Sequence, residues 1–228
     1  GLNNGILDQT SIVFGRRDHM LYIDTKKETI SFLPDQLGEG QYRILVAYSG
    51  YSRELTTSGY NTRVDECRSA AKQLSQMSGS TPAQILSDVN QDVFLRFGHK
   101  LEPHIGKRAR HYFDETQRVH AGIAAWNNGS IEELGHMMSE SCKSSMEQYE
   151  CGIQAIHDLQ QIVSTADGVF GSRFMGGGFG GCVVGFVDPS KAAMAADDVR
   201  ETYRQLHPEV AKQAAVYLAQ TDEGIRFL

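Results

Sequence analysis

Five glycines occupy six consecutive positions of the stretch SRFMGGGFGGCVVGFVD, residues 172–188. They are Gly176, Gly177, Gly178, Gly180 and Gly181, and Phe179 is the one side chain among them. Glycine permits positive φ angles and lets a ligand or another backbone come close, and successive amides in such a turn form a concavity that binds anions. A tight turn needs one or two glycines rather than five. We therefore favour a binding loop over a turn kept small for packing.

The spacing of Gly176, Gly178 and Gly181 fits the pattern G-x-G-x-x-G, which is a weak signal by itself. A dinucleotide-binding fingerprint needs a strand before the glycines and a helix after them. Here an apolar, valine-rich run follows directly from Cys182. A Walker loop is excluded as well, since no Lys-Ser or Lys-Thr pair follows the glycines. The context predicts a loop that joins two strands.

Three residues in the N-terminal part have plain structural explanations when they are considered without any family resemblance. Asp8 lies in GILDQ, between a turn and an apolar run, where an aspartate most often serves as a turn or cap residue. Gly5 could be an ordinary turn glycine. Tyr60, in SGYNTR, could be an amphipathic residue at the edge of a core. The residues alone favour the plain role for Asp8 and leave Tyr60 evenly balanced.

Three arginines, Arg63, Arg108 and Arg110, are conceivable phosphate partners. For each of them we instead expect a solvated helix face with local ion pairs. We expect His111, Tyr112 and Trp126 to pack within the helical part of the fold. Cys182 is expected to be a small buried hydrophobic residue.

The elements that must position these residues are read from hydrophobic periodicity and turn signals. HMLYID and TISFLP predict a hairpin through TKKE, and YRILVAYSG predicts a buried strand. Helices are predicted over 61–77 and over about 107–127, 130–149, 152–165 and 189–206. A short helix is also predicted to begin at Ser80-Thr81-Pro82. Ser130 and Glu133 have the spacing of a capping box at the start of the helix over 130–149. GVFGSRFM, CVVGFVD, AAVYLAQ and GIRFL predict further strands. Helices grouped between strands indicate an α+β fold.

Composition narrows the functional classes. The chain has 228 residues, 40% of them hydrophobic, which suggests one or two domains. Its net charge of -6 argues against general affinity for nucleic acid or an anionic membrane surface. The four cysteines are scattered without metal-binding spacing, which predicts a reducing, cytoplasmic compartment and no disulfide framework. We expect neither a membrane span nor a signal peptide.

The glycine loop with its flanks, GVFGSRFMGGGFGGCVVGFVD, resembles the third signature motif of the GHMP small-molecule kinases in its galactokinase form. The segments NNGILDQTS, ILVAYSG, TTSGYNTRVDEC and KRARHYFDETQRV are similar to the galactokinase pattern and follow in the same order. YECG and GYNTRVDEC look most like the galacturonokinase branch, which phosphorylates a sugar acid. The resemblance covers nearly the whole chain.

The resemblance implies a fold and a domain division. Residues 39–228 would form a GHMP kinase C-terminal domain, a ferredoxin-like sheet with added helices. Residues 1–38 would be strands left from an N-terminal domain. The family's sugar-recognition motif and its Gly-Ser-rich second motif are missing from the sequence, so we expect a C-terminal portion that is inactive alone.

The resemblance also implies an ATP-dependent sugar 1-kinase, with ATP and a galactose-like sugar or its uronic acid as small-molecule partners. Asp8 would face the anomeric hydroxyl, and Gly5 and Tyr60 would contact the sugar. Residues 176–181 would belong to the nucleotide phosphate region and lie near Asp8. The ligands of Mg²⁺ are expected mainly upstream of residue 1.

Three departures from the family pattern keep an alternative open. Met175 replaces the usual threonine before the glycines, and Cys142 stands near the position of a family histidine. The family's CPELD has become IQAIH, residues 153–157. The alternative is a catalytically silent, kinase-like protein that senses a sugar or nucleotide.

Overall fold

The structure is a computed structural model that describes residues 5–38, 40–52 and 59–226. Its helices are α1 (Leu7–Phe14), α2 (Tyr60–Ser78), α3 (Gln91–Phe97), α4 (Pro103–Asn127), α5 (Ile131–Glu147), α6 (Gln154–Thr165) and α7 (Ala192–Leu206). Its strands are β1 (His19–Asp24), β2 (Thr29–Pro34), β3 (Arg43–Tyr48), β4 (Val169–Phe174), β5 (Cys182–Val187) and β6 (Ala215–Ala219). Mixed helices and strands confirm the α+β prediction.

The main sheet has four antiparallel strands in the order β4-β5-β3-β6. Along the chain these strands alternate with helices as β3, helices, β4, β5, α7 and β6, which is the ferredoxin-like arrangement. The added helices α2 to α6 all lie in the connection between β3 and β4. The glycine loop is the direct connection from β4 to β5.

The core against this sheet is formed mainly with α6 and α7. Leu45, Val183 and Val187 come from β3 and β5, and none of them is exposed to solvent. Ile156 of α6 and Val199 of α7 meet them in the same buried cluster. The strands that carry the glycine loop therefore pack on one face against a buried apolar layer, which stabilises their position.

A second buried cluster joins α2, α3 and α4 and includes Leu74, Phe94 and Phe113. The rings of Phe94 and Phe113 stack at a centroid distance of 4.7 Å. This helical cluster packs α2 against the first half of α4. That juxtaposition brings Glu66 and Arg108 together, as described below.

The β1–β2 hairpin is attached to the rest of the molecule through Trp126. The strands pair antiparallel from His19 opposite Pro34 to Asp24 opposite Thr29, so the hairpin prediction is confirmed. The indole N–H of Trp126 donates to the carbonyl oxygen of Pro34 at 2.9 Å. Trp126 is buried as predicted, with 2% of its surface exposed. The domain boundary at residue 38 stays a prediction.

Residues 1–38 were expected to hold strands alone, and that is wrong, because α1 occupies Leu7–Phe14. The apolar run before Gly15 resembles a strand in pattern. Tertiary bonds instead stabilise the helix end: the Gly224 amide donates to the Gly15 carbonyl at 2.7 Å, and the Ile225 amide to that of Ile12 at 2.8 Å. The same bonds explain why residues 224–226 form no strand. Residues 227 and 228 lie outside the described part.

Several predicted helix boundaries also need correction. Pro82 opens no helix; the chain forms a 3₁₀ turn at Leu86–Asp88, and α3 begins after Asn90, whose side chain accepts from the Asp92 amide at 2.9 Å. Ser130 precedes α5 as predicted, but its side chain makes no capping hydrogen bond. Pro189 lies before α7 rather than in its first turn.

Helix α5 contacts strand β4 through bare backbone, which generates a prediction. A Cβ added to Gly135 would lie 2.3 Å from the Phe170 carbonyl oxygen. We expect Gly135→Ala to lower the free energy of unfolding by about 1–3 kcal/mol, as overpacked substitutions do. Gly122→Ala is the matched control, because the nearest atom to its added Cβ is Leu134 Cδ1 at an ordinary 3.5 Å. Urea midpoints measure both, and equal midpoints would contradict this packing.

Candidate functional site

The glycine loop begins and ends on paired strands. The Met175 amide donates to the Cys182 carbonyl at 2.8 Å, which closes the ladder at the base of the loop. Cys182 opens strand β5 rather than a helix. The prediction of a strand-to-strand loop is therefore confirmed, and a Rossmann-type phosphate turn is ruled out by the coordinates as well as by the sequence pattern.

Backbone conformation accounts for most of the glycines. Gly176, Gly178, Gly180 and Gly181 have φ angles of 68°, 75°, 112° and 87°. Residues with a Cβ rarely adopt such angles, so four of the five positions need glycine for the path of the chain alone. Gly177 is not in this conformation, and it is half-buried.

Close approach of other backbone segments adds a second constraint. A Cβ on Gly178 would lie 2.9 Å from Gly152 Cα, and a Cβ on Gly180 would lie 2.8 Å from the Tyr51 carbonyl oxygen. Backbone hydrogen bonds join the same segments. Ile153 donates to Gly178 O at 2.9 Å, and Gly181 donates to Tyr51 O at 3.0 Å. The loop is thus held between residues 51–52 and 152–153.

The amides of residues 176–180 are left available by this arrangement. No acceptor within residues 5–38, 40–52 and 59–226 takes a hydrogen bond from any of these five consecutive N–H groups. Met175 and Gly176 at the start of the loop are exposed, whereas Gly178 and Gly180 are buried. Successive amides in a turn that alternates between negative and positive φ can form an anion-binding concavity. The loop therefore fits a phosphate group.

Asp8 and Gly5 lie at the start of α1. Asp8 is exposed in the first turn of the helix, where the helix dipole favours a carboxylate. A Cβ on Gly5 would meet no described atom within 4 Å, so packing gives no reason for glycine there. The backbone of Tyr60 opens α2, but its side chain lies outside the described part of the structure. The roles of these three residues, and the proximity of Asp8 to the loop, stay predictions.

Arg108 contradicts the sequence-based expectation of a solvated side chain, because only 1% of its surface is exposed. Its Nε donates to Glu66 of α2 at 2.6 Å, and its Nη2 donates to Glu150 at 2.7 Å. Its Nη1 donates to the carbonyl oxygen of Gln148. Helical periodicity could not reveal these partners, since they are about 40 residues away in sequence in either direction. Arg63, which pairs with Glu66, and the exposed Arg110 behave as expected.

The pKa values of this cluster follow from the ion pairs. Hydrogen bonds from Lys107 and Arg108 lower the pKa of Glu150 to about 2. Burial by itself would raise the pKa of Glu66, but hydrogen bonds from Arg108 and Arg63 outweigh it and lower that pKa. Both carboxylates are therefore charged at neutral pH. They hold Arg108 between α2 and the turn that follows α5.

Comparison with known proteins agrees with this fold. Residues 122–205 match the family described as GHMP kinases C terminal. The chain carries a GHMP kinase C-terminal domain. It is 43% identical over 213 residues to a galacturonokinase of Arabidopsis thaliana, which covers 92% of this chain and 50% of that protein. It is 33% identical over 225 residues to a galactokinase of Roseiflexus sp. (strain RS-1), covering 99% of this chain and 56% of that protein.

A solved structure supports the same conclusion. The Lactococcus lactis galactokinase complexed with galactose matches with a TM-score of 0.86 and 28% identity, over 100% of this chain and 57% of that one. The chain thus spans about half the length of the relatives it matches. The predicted family and fold are confirmed.

A second polar cluster of the GHMP domain lies beside β4. Arg173, two residues before Met175, donates from Nη1 to Ser141 Oγ at 2.9 Å, and Ser141 donates to Glu115. Burial alone would raise the pKa of Glu115, but Ser141 and Arg118 lower it. Burial lowers the pKa of His111, whose ring lies 4.9 Å from that of Tyr149. His111 therefore packs within the helical part, as predicted.

Burial disfavours the thiolate form of three of the four cysteines. Burial raises the pKa of Cys67 and Cys142, and it raises that of Cys151 to about 11. All four cysteines are free thiols. Cys182 is half-buried rather than buried, contrary to expectation, because it lies at the mouth of the loop where β5 begins. Cys142 is a buried packing residue where the family pattern has histidine.

A cavity of about 840 Å³ lies between the hairpin turn and helices α2 and α4. Lys26, Arg68 and His120 are among its lining residues, but Asp8 and the glycine loop are not. The volume suits a small molecule. Its lining includes none of the glycine-loop amides, and we place the candidate site at the glycine loop.

Within the described residues, no group of three or more His, Cys, Asp or Glu side chains could hold a metal ion. No described helix is both long and apolar enough to span a membrane.

The lowered pKa of Glu150 generates a prediction for stability. A carboxylate with a folded pKa of about 2 stabilises the fold above its ordinary pKa of 4.5, and this contribution is lost as pH falls towards 2. We expect Glu150→Gln to unfold at a lower urea concentration than wild type at neutral pH, and the difference to close between pH 4.5 and about 2.

The matched control is Glu147→Gln, at an exposed position of α5 that makes no ion pair within the described residues. Its urea midpoint should follow wild type throughout this pH range. A difference for Glu150→Gln that stays constant down to pH 2 would contradict the ion-pair assignment.

Proposed function

We propose that this chain is the C-terminal half of an ATP-dependent sugar 1-kinase, which transfers the γ-phosphoryl group of ATP to the anomeric hydroxyl of galactose or galacturonic acid. The observation that carries the proposal is the open row of amides at 176–180, held between two strands of a GHMP domain. The 43% identity to a galacturonokinase supports the reaction class.

In this proposal the glycine loop binds phosphate oxygens of the nucleotide. Backbone N–H groups at positive φ suit this role because they are fixed in direction before the ligand arrives. ATP supplies the phosphoryl group, and Mg²⁺ neutralises charge on the phosphates. Since the described residues hold no metal cluster, we propose that the magnesium ligands come mainly from a part of the whole protein beyond these 228 residues.

Asp8 is the proposed catalytic residue, and it acts on the sugar hydroxyl. Its carboxylate either takes the anomeric proton or orients the hydroxyl and stabilises charge that develops on it. It lies in the first turn of α1, and its side chain is exposed. Gly5, just before α1, and Tyr60, at the start of α2, are proposed sugar contacts.

The acceptor is the part of the proposal that an assay must decide. The identity to the galacturonokinase, 43%, exceeds that to the galactokinase, 33%, which favours the uronic acid. Parallel assays of ADP release with galactose and with galacturonate, using the whole protein, test this directly. A higher kcat/KM for galacturonate supports the uronic acid, and the reverse ratio supports galactose.

A catalytically silent sensor is the second candidate function. The exposed Met175 favours it, since this side chain, 42% exposed, stands directly before the glycines where the family has threonine. A sensor would bind the sugar or nucleotide and release no ADP. Binding of ATP and sugar by the whole protein, without turnover, would identify it.

The first prediction concerns these 228 residues by themselves. We expect no sugar-dependent ATP consumption, because the sequence lacks the family's second motif, and a reaction that depends on positioned charges loses most of its rate without it. The measurement is ADP release with each sugar in turn. Turnover at ordinary enzyme rates, about 1–10³ per second, would contradict this expectation.

The second prediction concerns Asp8→Asn in the whole protein. Asparagine keeps the shape and the capping ability of aspartate but removes its charge and basicity. We expect kcat to fall by roughly 10²–10⁴-fold, the usual contribution of a general base, while the dissociation constant for the sugar changes far less. The matched control is Asp92→Asn, at the first turn of α3, where the same change should leave kcat near wild type. An unchanged kcat in a variant with wild-type melting temperature would refute the catalytic role of Asp8.

A further inference from the structure

The turn between α5 and α6, residues 148–153, is the nearest support of the glycine loop. The Ile153 amide donates to Gly178 O at 2.9 Å, and the Cα of Gly152 lies 2.9 Å from the place of a Cβ on Gly178. Glu150 and Gly152 themselves have positive φ angles of 53° and 102°. A displacement of this turn must therefore displace the loop, because no flexible side chain lies between the two backbones.

Arg108 of α4 holds this turn in two places. Its Nη1 donates to the carbonyl oxygen of Gln148, and its Nη2 donates to the Glu150 carboxylate at 2.7 Å. Lys107 adds a contact from Nζ to the other Glu150 oxygen at 2.6 Å. The positive φ of Glu150 is costly for a residue with a side chain. We attribute its persistence to these bonds.

The other end of Arg108 is fixed as well. Its Nε donates to Glu66 at 2.6 Å, and Arg63 holds the same Glu66 oxygen at 2.8 Å. Because α2 begins at Tyr60, the arginine connects the start of α2 to the turn beneath the loop. Arg108 is buried, and its Nε, Nη1 and Nη2 each donate a hydrogen bond. Packing and charge together therefore determine its position.

We propose that Arg108 is a positioning residue for nucleotide binding: by fixing the turn 148–153 it keeps the amides of the glycine loop in the geometry that receives phosphate. This proposal rests on the proposed phosphotransferase function. Arginine suits the role because its planar fork donates in several fixed directions at once, whereas lysine is a single flexible point charge. Arg108→Lys should therefore keep the charge and lose the simultaneous contacts to Glu66, Gln148 and Glu150.

The experiment compares three variants of the whole protein. Arg108→Lys tests the proposal, and Glu150→Gln tests it at a half-exposed partner. Arg200→Lys is the matched control, because Arg200 also bonds a carboxylate, Asp197, and a backbone carbonyl, Val216 O, but does so between α7 and β6. The readouts are KM for ATP, the dissociation constant of the sugar, and hydrogen exchange of the segment 148–156.

We expect Arg108→Lys to raise KM for ATP by roughly 10–100-fold, the scale of a misplacement near 1 Å, with the sugar dissociation constant within about twofold of wild type. Hydrogen exchange should become faster at 148–156, and Glu150→Gln should show the same pattern more weakly. Arg200→Lys should change none of these readouts. A purely structural role would lower the melting temperature and change KM for ATP and the sugar dissociation constant to a similar extent.

An unchanged KM for ATP in a folded Arg108→Lys protein would overturn the proposal. If that variant does not fold, Glu150→Gln decides by the same two readouts. If the wild-type protein releases no ADP with either sugar, the proposed function fails, and the dissociation constant of ATP then replaces its KM as the readout of positioning. A raised ATP dissociation constant with faster exchange at 148–156 in Arg108→Lys but not in Arg200→Lys supports it, and an unchanged ATP dissociation constant overturns it.

Discussion

The candidate site depends on direct contact between bare backbone segments. Gly178 meets Gly152, and Gly180 meets the carbonyls of residues 51 and 52, at distances that leave no room for a Cβ. Two backbone hydrogen bonds, from Ile153 to the loop and from the loop to Tyr51, fix the same contacts. Because neither contact passes through a rotatable side chain, the loop has few ways to relax. A rigid row of amides follows from this constraint, and rigidity is what a phosphate cradle requires.

The rest of the fold supplies the segments that make these contacts. Residues 51–52 follow β3, which lies next to β5 in the sheet, so the sheet itself brings them under the loop. Residues 152–153 end the turn after α5, and the buried Arg108 ties that turn to α2 and α4. The sheet and the helical part thus both fix the position of one loop. The helices added to this GHMP domain position the turn that follows α5. The four strands alone would not hold that turn.

Sequence reasoning succeeded where structure follows from local pattern. The hairpin through TKKE, the strands around the glycines and the helix before Gly79 all follow from short-range periodicity and turn residues. The positive φ of the glycines is also a local property, and it explains the composition of the loop.

Two of the failures share one cause, which is contact between residues distant in sequence. Helix α1 depends on bonds from residues 224 and 225, and the burial of Arg108 depends on Glu66 and Glu150. A charged residue at helical spacing looks solvated until its partners are known. Likewise, glycine at 152 is required by its φ of 102° and by the ring of His157, which a pattern within YECG does not reveal.

The account claims that the free amides of the glycine loop bind nucleotide phosphate. The most direct measurement is the change in amide NMR shifts of residues 176–180 in the whole protein, labelled with ¹⁵N, on titration with ADP and then with a non-hydrolysable ATP analogue. The account predicts large, saturable shifts at these amides, with little change for residues that line the cavity between the hairpin and α4. Saturable nucleotide binding that leaves the loop amides unmoved would contradict it.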